Sequence, residues 1–274
     1  MRKSRYLLYL IGLILLARII SGIRWPEFYQ VFSQFQASTV FFSILCLGIS
    51  IHIRSIRFYL CLDWNVTRTV AQWIFYVSQF WGQITPGRIG EFSKVKLLAD
   101  QGVDSVQALR ILIQDRFFDF LILFSGFLIL FLDSAIWLIP VIAFLHWKIS
   151  CAWFSFMKHG LAYALVLLLT LVSYLFFVLS FAVYFLHAGL QETATKLISA
   201  VFSATLAAWL PISWQGLGTK EQVYLAIWDQ YPVETLLAVS LAHFLTTVLG
   251  SLLICGLGFV FYRSALPSQA GMTR

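Results

Sequence analysis

Trp81-Gly82-Gln83-Ile84-Thr85-Pro86-Gly87-Arg88-Ile89-Gly90-Glu91 breaks one apolar segment of this chain. Leu210-Pro211-Ile212-Ser213-Trp214-Gln215-Gly216-Leu217-Gly218-Thr219-Lys220-Glu221 breaks another in the same way. Each passes from hydrophobic residues through proline and paired glycines to a basic residue and a glutamate. The surroundings are strongly apolar: 60% of the 274 residues are hydrophobic and 11% are charged, and the mean hydropathy is +0.85. This is the composition of a polytopic membrane protein. The apolar runs are long and continuous, which fits helices and not the alternating strands of a barrel. In such a protein, a matched pair of Gly/Pro-interrupted hydrophobic segments points to the substrate site. Irregular backbone at membrane depth is tolerated only where protein buries it or where it lines a cavity.

The net charge of +7 does not indicate nucleic acid, because the bases are spread along segment ends and not gathered on one soluble face. A membrane surface explains them more simply. Cys46, Cys61, Cys151 and Cys255 stand singly in apolar surroundings, so neither a disulfide nor a metal site is expected. Arg2, Lys3 and Arg5 precede an apolar run that continues past Arg18 without a small-x-small cleavage site, which predicts an uncleaved first span. There is no GxSxG, HExxH or P-loop, so no enzyme activity and no cofactor are expected.

Membrane-spanning helices are expected at about 6–23, 38–56, 106–132, 134–149, 161–187 and 235–262, most of them near the ~20 residues needed to cross a bilayer. The 134–149 run is short and contains Pro140. The broken segments, about 69–100 and 194–230, read as re-entrant hairpins. With the N-terminus inside, Arg2, Lys3, Arg5, Arg54, Arg57, Arg68, Lys94, Lys96, Lys148, Lys158, Arg263 and Arg274 fall on the cytoplasmic side, and only Arg24 and Lys196 fall in outer loops. Asp133, Glu192, Asp229 and Glu234 also lie outside. The asymmetry obeys the positive-inside rule and places both termini in the cytoplasm. The order span, span, hairpin, span then occurs twice, over about 6–132 and 134–262. An odd number of crossings turns the second copy over, giving an inverted repeat within one transmembrane domain, 1–274. If both broken segments cross fully, there are eight or more spans instead.

Candidate substrate contacts follow from the breaks. Arg88 lies between Gly87 and Gly90, where exposed backbone amides and a guanidinium make an anion site. Glu91 contacts substrate, caps the return helix or pairs with Arg88. Lys220 and Glu221 mirror Arg88 and Glu91, with Gly216 and Gly218 supplying the second turn and Pro86 and Pro211 punctuating the breaks. Gln83 and Gln215 precede the turns and are placed to bond a polar headgroup. Within a span, Arg116 and Asp119 share a helical face beside Asp115. They either line a path for an anionic headgroup or form an ion network joining that span to a hairpin. Arg110 reads as snorkelling, and Arg18 as a site residue or a bundle contact. Trp81, Trp209 and Trp214 fit interfacial anchors, and His243 a satisfied interhelical histidine.

Thr85-Pro86-Gly87-Arg88-Ile89-Gly90-Glu91, Asp115-Arg116-Phe117-Phe118-Asp119, and the run from Pro211 through Gly216-Leu217-Gly218 to Glu221 resemble the flippase-like family. That family comprises the transmembrane region of lysylphosphatidylglycerol synthases and its stand-alone relatives. The resemblance covers about 6–262 and implies a lipid translocase moving an anionic phospholipid or a polyprenyl or glycolipid headgroup between leaflets of the inner membrane. It implies membrane lipids as partners, and a lipid-modifying enzyme or glycosyltransferase beside them. No aminoacyl-transferase domain follows before Arg274, so lysine transfer to lipid is not expected. His243 stands where the family would lead one to expect an arginine. The rival expectations are a secondary transporter of a small soluble anion and a non-transporting partner of a lipid enzyme.

Overall fold

A computed structural model describes residues 21–62, 66–131, 138–153, 160–209 and 215–264. The only regular structure among the described residues is helical, joined by short turns, with no strand among them. In chain order the helices are α1 (Trp25–Ser33), α2 (Ala37–Cys61), α3 (Arg68–Ile84), a 3-10 turn (Pro86–Phe92), α4 (Ser93–Ala99), α5 (Ser105–Phe131), α6 (Leu138–Trp153), α7 (Gly160–His187), α8 (Ala194–Ala207), α9 (Thr219–Ile227) and α10 (Val233–Ser264). Among these, α2, α7 and α10 are long and apolar enough to cross a membrane. Helix α5 has 27 residues, but Arg110, Asp115, Arg116 and Asp119 interrupt its apolar character. Helix α6 is short, at 16 residues.

Both expected breaks are real. Thr85 is extended, with φ −87° and ψ 137°, because the residue before a proline is pushed out of the helical region. The Thr85 hydroxyl donates to the Trp81 carbonyl at 2.8 Å and accepts from the Gly90 amide at 2.6 Å, which closes α3 and folds the chain into the 3-10 turn. Helix α8 ends at Ala207, and α9 starts at Thr219 after Gly216 (φ +85°) and Gly218 (φ +88°). These left-handed angles favour glycine.

Helix α2 lies along α7, α3 packs against α10, and α5 packs against α8. The Ser43 hydroxyl bonds the Ser180 carbonyl at 2.8 Å across α2 and α7. One apolar core gathers Phe58, Phe75, Leu98, Ile111 and Phe118 around the first broken segment. A second gathers Phe181, Phe185, Val201, Trp228 and Val239 around the other. Each broken segment is therefore packed by its own core, and the two segments meet between them.

Two expectations need correction. Residues 25–33 form a helix where only an outer loop was expected; Pro26 starts it, Phe28 is buried with Leu237 and Ala238, and Arg24 Nε bonds Glu234 Oε1 at 2.9 Å. Arg54, Arg57 and Lys94 were counted among the charges of the cytoplasmic side. Arg57 and Lys94 are fully buried and Arg54 nearly so, because each has carboxylate partners inside the bundle. They carry no weight in the orientation argument. Arg18, Asp133, Lys158, Pro211, Trp214, Arg274, the basic N-terminal residues and most of the expected first span lie outside the described residues.

Candidate functional site

The turn that follows α3 sets Arg88 at φ +55°, and the turn before α9 sets Gln215 at φ +54°. A left-handed conformation is uncommon for residues other than glycine and marks a constrained position. These two residues touch. Arg88 Nε donates to Gln215 Oε1 at 3.2 Å, and Gln215 Nε2 donates to the carbonyls of Gly82 at 3.0 Å and Gln83 at 3.3 Å. Gln215 therefore plugs the open end of α3, whose last carbonyls have no helical partner.

Around this junction lies a cavity of about 160 Å3, lined by Arg88, Glu91, Arg116, Phe177, Thr205, Ala208, Trp209, Gln215 and Lys220. Five residues expected as substrate contacts are gathered here: Arg88, Glu91 and Arg116 with Gln215 and Lys220. The other three stand elsewhere. Gln83 is buried behind the lining and offers its carbonyl to Gln215. Asp119 is buried in the ion network described below. Glu221 accepts from the Gly218 amide at 2.6 Å and the Ser240 hydroxyl at 2.7 Å, so its carboxylate fastens α9 to α10. Glu91 sits in the 3-10 turn ahead of α4, not at the start of the return helix. It pairs with Arg116, and Arg88 Nη1 lies 3.7 Å away.

Behind the cavity, buried charges join α2, α4 and α5. Arg57 donates to Asp119 Oδ1 and to Asp115 Oδ1, both at 2.5 Å, and to Thr170 at 3.2 Å. Lys94 bonds Asp115 Oδ2 at 3.2 Å and lies over the rings of Phe58 and Phe75. Arg54 bonds Asp119 at 3.2 Å and the Tyr174 hydroxyl at 2.8 Å. Arg116 completes the chain to Asp119 at 3.3 Å. Of the two readings left open for the span charges, Asp115 and Asp119 follow the network, while Arg116 belongs both to it and to the cavity wall.

Sequence reasoning missed Arg54, Arg57 and Lys94, and it assigned Trp209 to the membrane interface although it lines the cavity. The signal was present: cations three apart on α2 match acids four apart on α5, the spacings of single helix faces. His243 is buried, bonds the Ser180 hydroxyl at 3.0 Å and packs edge-on against Phe177 and Phe181. That is a satisfied interhelical histidine.

Gly90 allows the junction to close, since a Cβ there would collide with the Trp81 carbonyl and stand 2.8 Å from the Gly82 nitrogen. Backbone cannot swing aside as a side-chain tip can. Gly90→Ala is expected to destabilise the protein by at least about 2 kcal/mol, read as a lower melting temperature in detergent. Gly256→Ala, where a Cβ meets nothing within 4 Å, is the neutral comparison.

A helical membrane protein with a polar, cation-lined cavity at the junction of two broken helices belongs to a recognisable class, in which irregular backbone lines a site. The chain matches the lysylphosphatidylglycerol synthase TM region over residues 6–157, and it belongs to that family. The match contains Arg88, Glu91, Arg116 and the whole buried ion network; Gln215 and Lys220 lie beyond it. A search of curated proteins returned no match.

Proposed function

We propose that this protein is a flippase-like lipid translocase that moves an anionic phospholipid or a polyprenyl or glycolipid headgroup between leaflets. The observation that carries this reading is the meeting of Arg88, Arg116, Gln215 and Lys220 around one cavity between the two broken segments. Guanidinium and ammonium groups at such a place bind phosphate by charge-assisted hydrogen bonds. Arg88 and Arg116 take the headgroup from one side, and Lys220 and Gln215 receive it from the other.

The architecture we propose is one transmembrane domain over 1–274, with six spans and two re-entrant hairpins in an inverted repeat. Its halves run over about 6–132 and 134–262, and both termini are cytoplasmic in the inner membrane. The packing pattern supports the repeat. A twofold exchange of halves would map α2 onto α7, α3 onto α8 and α5 onto α10. It would carry the α3–α10 contact onto the α8–α5 contact, and both contacts are present. A lipid is favoured over a free solute by an almost wholly apolar groove of about 490 Å3 between α3 and α10, lined by Val77, Phe80, Trp81 and Leu257 among others. Trp81 adjoins Gly82, whose carbonyl holds Gln215. An acyl chain in that groove would place its headgroup near the cavity. A lipid-modifying enzyme or glycosyltransferase that supplies or consumes the lipid is the expected partner.

The test is headgroup translocation in proteoliposomes of the purified protein, with fluorescent phosphatidylglycerol, aminoacyl-phosphatidylglycerol and polyprenyl-phosphate probes. At least one probe is expected to cross faster than in protein-free vesicles. Folded protein that moves none of them defeats the reading.

A further inference from the structure

We infer that the cavity takes a lipid-borne phosphomonoester, a near-dianion, in preference to a phosphodiester or an aminoacylated headgroup. This rests on the translocase reading and names the ligand class of the same site.

Charge is the first argument. In the lining, Arg88, Arg116 and Lys220 face a single acid, Glu91, which leaves two uncompensated positive charges. The surrounding shell does not change the surplus: Arg54, Arg57 and Lys94 against Asp115 and Asp119 leave one further positive charge, and Glu221 beside Lys220 offsets it. A phosphomonoester carries about −1.5 to −2 at pH 7 and three acceptor oxygens. A diester brings about one negative charge, and an aminoacylated headgroup brings a cation of its own into a positive cavity.

Lys220 supplies the second argument. It is only 9% exposed, yet its ammonium makes no hydrogen bond or ion pair among the described residues. The adjacent Glu221 carboxylate is occupied by Gly218 and Ser240. An ammonium without a partner on a largely buried side chain has lost much of its water, and an anion bound in the cavity offsets that loss. Size is the third argument. At about 160 Å3, the cavity falls below the roughly 300–1,000 Å3 of sites that enclose drug-sized molecules. It suits a terminal phosphate better than a phosphate extended by an aminoacyl ester.

The test is native mass spectrometry of the purified protein titrated with phosphatidic acid, phosphatidylglycerol and lysyl-phosphatidylglycerol of the same acyl chains. Phosphatidic acid is expected to bind at least about tenfold more tightly than phosphatidylglycerol, as one extra charge-assisted contact would give, with the lysyl lipid weakest. Lys220→Met should bring the first two together, and Lys220→Arg should keep them apart, each variant first checked by its melting temperature. Equal binding of phosphatidic acid and phosphatidylglycerol by the wild type would overturn the inference, and so would preference for the lysyl lipid. Transport of phosphatidylglycerol would still stand in that case, so the two readings fail separately. Inorganic phosphate that raises the melting temperature of protein binding no phosphatidic acid would move the site to a soluble anion and overturn the lipid assignment.

Discussion

Arg57→Met is expected to destabilise the folded protein by about 3–5 kcal/mol, the range for removing one partner from a buried ion network. Arg57 is 1% exposed and bonds both Asp115 and Asp119, which are as deeply buried. Without it, two carboxylates remain in an apolar bundle with Lys94, Arg54 and Arg116 as their remaining partners. The three cations and two acids among Arg54, Arg57, Lys94, Asp115 and Asp119 become two and two, but the group at the centre is lost. Methionine keeps most of the side-chain volume, so the effect reports on charge more than on a cavity. Unfolding in mixed micelles with increasing sodium dodecyl sulfate reads the change. Arg54→Met provides scale: Arg54 is more exposed, and Asp119 would keep Arg57 and Arg116, so a loss of about 1 kcal/mol is expected. Equal effects at the two positions would show that the network is not centred on Arg57.

Arg116→Gln is expected to lower translocation about 100-fold, because it removes a cation from the cavity wall, an effect of the size seen when one preorganised donor is lost. It should also destabilise the protein, since Glu91 is 4% exposed and would keep only the more distant Arg88. Glu91→Gln in the same chain separates the two consequences. The double variant has neither buried charge unpaired, so most of the stability returns. Transport does not return, because the cation remains absent. Recovery of both together would make the Arg116–Glu91 pair a structural clasp and remove Arg116 from the substrate path.

The parts of this molecule that could be read from the chain are those governed by local chemistry. Pro86 at one break forces Thr85 out of the helix, and Gly216 and Gly218 at the other take left-handed angles ahead of α9, for reasons that need no partner. The spans expected at 38–56, 161–187 and 235–262 correspond to α2, α7 and α10, whose apolar lengths are local too, and the run at 106–132 to helix α5. Asp115 and Asp119 could be recognised as groups in need of a partner, because charge at membrane depth is costly. Their partners could not be recognised. Arg54 and Arg57 lie near the end of an apolar run, where a surface cation and a buried one look alike until α2 is packed on α5. The Arg88–Gln215 contact spans 127 positions; the two motifs were found separately, and only the fold brings their tips together. Helix α1 escaped notice because nine residues between apolar runs read as a loop unless the apolar face formed by Phe28 and Phe32 is weighed.

The central claim is that the junction of the two broken segments passes a phosphate-bearing headgroup. The most direct measurement is translocation of a fluorescent anionic lipid in proteoliposomes of wild type and of Arg88→Ala, with Arg110→Ala as a cation change away from the cavity. Wild type and Arg110→Ala should transport alike, while Arg88→Ala, shown to be folded, should fall about 100-fold. Transport by Arg88→Ala at the wild-type rate would contradict the account.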